Sequence, residues 1–124
     1  MSRDRVLRVA LWISVAVNTI GVVVFAPLIL GRPSAMLPVA PSPFLAAQIA
    51  WVIALFGGVY FWLARQAAPN RALVIVGGIG KLGFFAISVI AAATAVVPAA
   101  VAVNAVPDLL LGGVFLWWAA RIRA

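Results

Sequence analysis

The chain has no cysteine and no histidine, and only two acidic residues among 124. Without cysteine there are no disulfides and no thiol redox chemistry, and without either residue there are no Cys/His zinc sites and no His-ligated haem. General acid–base chemistry is left with Lys81, Asp108 and Tyr60 as candidates. Charge of any kind is scarce. Charged residues make up 9% of the chain and hydrophobic residues 67%, against roughly 25% and 45–50% in soluble domains. With a mean hydropathy of +1.24, these figures exclude a soluble globular domain and point to a polytopic membrane protein.

What charge there is has an unusual make-up. Nine basic residues give a net charge of +7, and eight of them are arginine. They sit singly or in small groups at the ends of apolar runs, where they anchor helices and set topology. They form no basic patch on a soluble face, so nucleic acid is not an expected partner. The preference for arginine, with abundant alanine, glycine and valine, hints at a GC-rich bacterial source.

Four apolar runs divide the chain. The first, about 9–30, follows a short basic tail, Met1 to Arg8. Its uncharged core from Val9 to Gly31 spans roughly 34 Å as a helix. That is too long for the apolar region of a signal peptide, so an uncleaved first helix is expected. Residues 31–43 carry four prolines and read as an extended loop. The second run is about 44–64, and a short polar link to Arg71 makes helices two and three expected antiparallel neighbours. The third is about 72–97, ended by Pro98, and the fourth about 100–120. The fold class expected is all-α, a single transmembrane domain built as an antiparallel four-helix bundle. With both termini on one face, that face holds Arg3, Arg5, Arg8, Arg65, Arg71, Arg121 and Arg123, and the other Arg32 alone. The positive-inside rule then puts both termini in the cytoplasm and the chain in a bacterial inner membrane. Trp12, Trp62, Trp117 and Trp118 fall near the arginine-rich ends, as an interfacial aromatic belt would. Trp51 lies deep in helix two.

Lys81, the one lysine, ends Gly77-Gly78-Ile79-Gly80-Lys81 inside the third run. A cation at that depth is unfavourable by roughly 2.5–3.5 kcal/mol and needs a partner or a wet cavity. Asp108 is the only acidic residue outside the N-terminal tail. Counted from the flanking arginines, Lys81 and Asn18 lie roughly 15 Å deep and Asp108 roughly 19–20 Å, an offset that a lysine stem covers. Gln48 and Asn104 form a second layer at roughly 25 Å. Helical spacing lines up Asn104, Asp108 and Gly112; Ser14, Asn18, Gly21 and Phe25; and Gly77, Lys81, Phe85 and Ser88 as inward stripes. Ala50, Ala54 and Gly58 have the small-xxx-small spacing that admits a close neighbour. Pro107 removes a backbone donor and predicts a kink before Asp108, opposite a helix made thin by Gly77, Gly78, Gly80 and Gly83. The glycine run lacks P-loop spacing, and packing is the expected role. Asn18, Gln48 and Asn104 individually suit helix–helix hydrogen bonds.

The stretches Gly77-Gly-Ile-Gly-Lys81-Leu-Gly-Phe-Phe85, Asp108-Leu-Leu-Leu-Gly-Gly-Val-Phe-Leu-Trp-Trp118 and Phe56-Gly-Gly-Val-Tyr-Phe-Trp-Leu-Ala-Arg65 resemble the DoxX-like group of small bacterial four-helix membrane proteins. The resemblance implies a four-helix bundle and carries over no catalytic residue; Asn18 in helix one departs from the group's pattern. Small multidrug exporters match in size and helix count, but this chain has no acidic residue within its first apolar run.

The function expected is a non-catalytic inner-membrane module with a buried Lys81–Asp108 pair, serving as an accessory, assembly or small-ligand-binding protein. Its partners are the lipid bilayer and a membrane-protein partner or a second copy; no cofactor or metal is expected. The alternative is a small proton-coupled carrier using the same pair, since a buried amine can release its proton where a guanidinium keeps it. An enzyme acting on lipid or quinone fits least.

Overall fold

A computed structural model describes residues 1–34, 37 and 40–121. Arg123, counted above with the arginine-rich face, and Ala35, Met36, Pro38 and Val39 of the proline-rich loop lie outside the described residues. The regular structure of the described residues is all helical: α1 (Arg3–Ile29), α2 (Pro43–Arg65), α3 (Arg71–Ala93), α4 (Ala99–Asn104) and α5 (Val106–Arg121). Four segments are long and apolar enough to cross a membrane, the last running through α4 and α5 from Ala99 to Arg121.

The helix starts follow from local chemistry. Ser2, Ser42 and Asn70 are N-caps, each accepting the backbone N–H of the residue three further on, which satisfies a donor that the first turn leaves free. The cap at Ser2 extends α1 six residues upstream of the expected start at residue 9, so the basic tail is a helical turn and a half. Pro43 occupies the first position of α2, where its missing N–H costs nothing.

The helix ends at the opposite pole use one motif twice. After α1, the N–H groups of Gly31 and Arg32 bond the carbonyls of Leu28 and Pro27, with Gly31 at φ 72°. After α3, those of Ala95 and Val96 bond Ala92 and Ala91, with Ala95 at φ 58°. Both are Schellman ends with a left-handed residue just past the cap. The second stops α3 at Ala93, four residues short of the expected 97. Ala95 takes the strained conformation without being glycine.

Packing is pairwise. α1 lies along α2, and α3 lies along α5; α1 also meets α5, while α2 and α3 touch sparsely and α4 packs only on α3 and α5. Helices two and three, expected as antiparallel neighbours, do touch, but each packs mainly on another helix. Two hairpins meet over the half of the bundle that carries the termini and diverge over the other half. The joined half holds the core, including Leu7, Leu11, Leu63, Val74, Phe115 and Trp118. At its end, arginines close the helix C-termini. Arg8 donates to the carbonyls of Ala64 (2.9 Å) and Gln66 (3.2 Å), Arg71 to Ala119 (2.9 Å) and Arg3 to Arg121 (3.0 Å). Each guanidinium meets the negative pole of a helix through free carbonyls.

Trp118 departs from the aromatic-belt expectation. It is 2% exposed and donates its indole N–H to Asp4 at 2.8 Å. Trp12, Trp62 and Trp117 are exposed, Trp12 edge-on to Phe61 at 5.5 Å. Large aliphatic residues also face outward, among them Ile13, Ile20, Val23, Ile87, Ile90 and Leu110.

Candidate functional site

The floor of the space between the hairpins is set by glycine. A Cβ on Gly77 would lie 2.8 Å from Tyr60 Cε1, so the absence of that carbon lets the Tyr60 ring cross from α2 onto α3. There it packs edge-on to Phe115 at 5.5 Å. Gly78 and Gly112 bring α3 and α5 into backbone contact: a Cβ on Gly112 would meet the Gly78 carbonyl at 3.0 Å. Gly80 makes no such contact and forms part of the wall above. Pocket and packing thus divide the glycine run between them.

Directly above this floor, Lys81 Nζ donates to Asp108 Oδ1 at 2.9 Å. The lysine is 4% exposed and Asp108 16%. The ammonium also stands 5.0 Å from the Tyr60 ring centroid, where the aromatic face adds favourable electrostatics. Asp108 owes its place to a break in the last span. Pro107 has no N–H to give the Val103 carbonyl, and the chain turns at the buried Ala105 before α5 begins at Val106. The kink expected before Asp108 is thus an interruption that puts the carboxylate in the first turn of a half-helix, where the positive pole favours an anion.

Pair and floor border a cavity of about 400 Å³ lined from all five helices and by Leu37. Its walls are apolar, with Phe25, Phe56 and Phe84 from α1, α2 and α3. Its polar lining is Asn18, Tyr60, Lys81, Asn104 and Asp108. Asn18 does not touch the pair. Its amide donates to the Ile53 carbonyl of α2 at 2.9 Å, which leaves its own oxygen without a protein partner among the described residues. Among the described residues, Asp108 Oδ2, Asn18 Oδ1 and the Tyr60 hydroxyl have no protein partner, yet no buried side-chain oxygen or nitrogen is unsatisfied. These three atoms therefore face open space, and all three residues line the cavity.

Two expected site residues fall elsewhere. Gln48 is exposed and outside the cavity. The buried residues of this turn are Ala46 and Ala50, and two positions from either is about 200° around a helix. Gly58 is also exposed, with nothing near its would-be Cβ. A spacing of four drifts about 40° per step from a straight seam, so Ala54 and Gly58 swing outward. Gly57 takes the seam instead, its would-be Cβ 3.2 Å from Asn18 Cβ. Asn104 is exposed but stays on the cavity wall. Tyr60, in the sequence only a residual acid–base candidate, lines the cavity beside the pair; its sequence signal is Gly77, which is small where a large partner must fit.

Comparisons of this chain with protein-family models, with curated proteins and with solved structures find no match.

Proposed function

We propose that this chain is a non-catalytic four-helix module of a bacterial inner membrane that holds a small, mostly apolar ligand in the space between its two hairpins. The observation that carries this reading is the cavity itself: about 400 Å³ with apolar walls and unpartnered polar atoms on the residues that line it. Small-molecule sites have this make-up, and the volume lies at the lower end of their range. The four apolar spans and the outward aliphatic surface suit a lipid environment. The arginine asymmetry supports both termini lying in the cytoplasm, with the cavity in the half-bundle away from them. The resemblance to the DoxX-like group agrees with this architecture and adds no ligand.

A carrier using Lys81 and Asp108 is the second reading. The break at Ala105 favours it, since interrupted helices with an ionisable residue beside the break are a transporter device. Against it, the joined half is filled by side chains such as Leu11, Ser14, Leu63, Val74 and Phe115, all with no exposure. The two readings separate on flux: proton or solute movement in liposomes that is lost in the Lys81→Met/Asp108→Leu double variant would establish the carrier.

Ligand holding is tested by native mass spectrometry of the protein released from membranes. Gly80 lines the cavity, and the nearest atom to its would-be Cβ is Phe56 Cε1 at 4.0 Å, an ordinary van der Waals distance, so Gly80→Phe is expected to fill the cavity and leave the fold intact. Small-mass adducts on the natural protein that vanish in Gly80→Phe support the reading. Adducts that persist unchanged in the variant overturn it.

A further inference from the structure

The cavity floor has a definite hydrogen-bonding character. Asp108 spends Oδ1 on Lys81 and offers Oδ2, a charged acceptor, to the cavity. Asn18 spends its amide on α2 and offers only an acceptor oxygen. Tyr60 is 2% exposed, and its hydroxyl, which both donates and accepts, has no protein partner among the described residues. Two acceptors and one hydroxyl call for a head group that donates a proton and accepts one.

Charge narrows the class further. Lys81 and Asp108 neutralise each other at 2.9 Å, and among the described residues the cavity lining holds no other ionisable group at neutral pH. A charged head would therefore enter an apolar space without a counter-ion, and desolvation would go uncompensated. Phe25, Phe56 and Phe84 line the walls from three helices, a surface suited to a flat ring. Resting on the ligand-holding reading above, we infer that the cavity takes an uncharged lipophilic alcohol or phenol, its hydroxyl donating to Asp108 Oδ2 and accepting from the Tyr60 hydroxyl.

A matched set of fluorescent probes tests this with the full chain in nanodiscs: 2-naphthol, naphthalene, 2-naphthoate and naphthylmethylammonium, which share a two-ring body and differ in the head. Saturable binding of 2-naphthol is expected to be about ten-fold or more tighter than that of naphthalene, with both charged probes weaker than 2-naphthol. Tyr60→Phe keeps the ring and is expected to weaken 2-naphthol several-fold while leaving naphthalene unchanged. The Lys81→Met/Asp108→Leu double variant is expected to lose most of the preference for 2-naphthol over naphthalene, keeping only the part that Tyr60 supplies. If either charged probe binds best, or if all four bind equally and Gly80→Phe abolishes them all, the alcohol assignment falls and the cavity reading stands. If no probe binds saturably, or Gly80→Phe changes none of them, both fall.

Discussion

Lys81 and Asp108 have few alternatives to each other. Lys81 is enclosed by α3, α5 and the Tyr60 ring, and Asp108 has no other donor among the described residues. Removing one partner leaves a buried charge unpaired, which costs roughly 3–5 kcal/mol, whereas replacing both by apolar groups is often neutral or better. Lys81→Met and Asp108→Leu are each expected to lower unfolding stability in mild detergent by that amount, with the double variant recovering most of the loss. A double variant as unstable as the sum of the singles would mean that each residue depends on contacts other than the pair. The pairing was legible in the sequence because scarcity left no other choice: one lysine and one carboxylate at compatible depths. Gln48 was misplaced because depth alone fixes a level along the bundle and not an azimuth. Ala46 and Ala50, the residues that do set the azimuth of α2, are too bland to stand out among its many alanines.

At the scale of elements, the two Schellman ends form a natural comparison. Gly31 meets its left-handed geometry freely, with nothing near a would-be Cβ. Ala95 meets the same geometry against the steric preference of an L-residue, at roughly 1–2 kcal/mol. Ala95→Gly is therefore expected to stabilise the protein by about 1 kcal/mol and Gly31→Ala to destabilise it by a similar amount, read from denaturant midpoints. Equal and negligible changes would show that these ends relax without cost. In the sequence Pro98 is the visible stop for α3, which is why the expected end is Val97 and not Ala93; an alanine past the cap gives no signal, as glycine would. The break at Ala105 was legible because proline is specific about what it removes. The extension of α1 is hidden in the sequence because four of the six residues from Arg3 to Arg8 are charged and interrupt the apolar run. Their helical role rests on the Ser2 cap and on Asp4 and Arg8, which reach Trp118 and the end of α2.

Across the whole molecule, the distribution of contacts is polarised. One half is joined by a packed core and by arginines that bind the carbonyl ends of α2 and α5. The other half holds the cavity, because α4 packs on α3 and α5 and leaves α1 and α2 alone. That polarity has a direct consequence for access. A residue on the cavity wall near the divergent end is reachable from that side of the membrane, and a residue in the joined half is reachable from neither. The chain has no cysteine, so single introduced thiols report without background. Asn104 is exposed on the cavity wall, and Ser14 is fully buried in the joined half, its hydroxyl bonded to the Ala10 carbonyl at 2.8 Å. On the proposed orientation, with both termini cytoplasmic, Asn104→Cys is expected to react with a membrane-impermeant maleimide added to intact cells. Ser14→Cys is expected to react only after unfolding. Pre-filling the cavity in an Asn104→Cys/Gly80→Phe variant is expected to slow the labelling several-fold, since the thiol then loses the open space around it. Labelling of Asn104→Cys only from the cytoplasmic face of inverted vesicles would reverse the orientation while leaving the cavity in place. Rapid labelling of Ser14→Cys in the folded protein would show that the joined half opens, as a carrier requires.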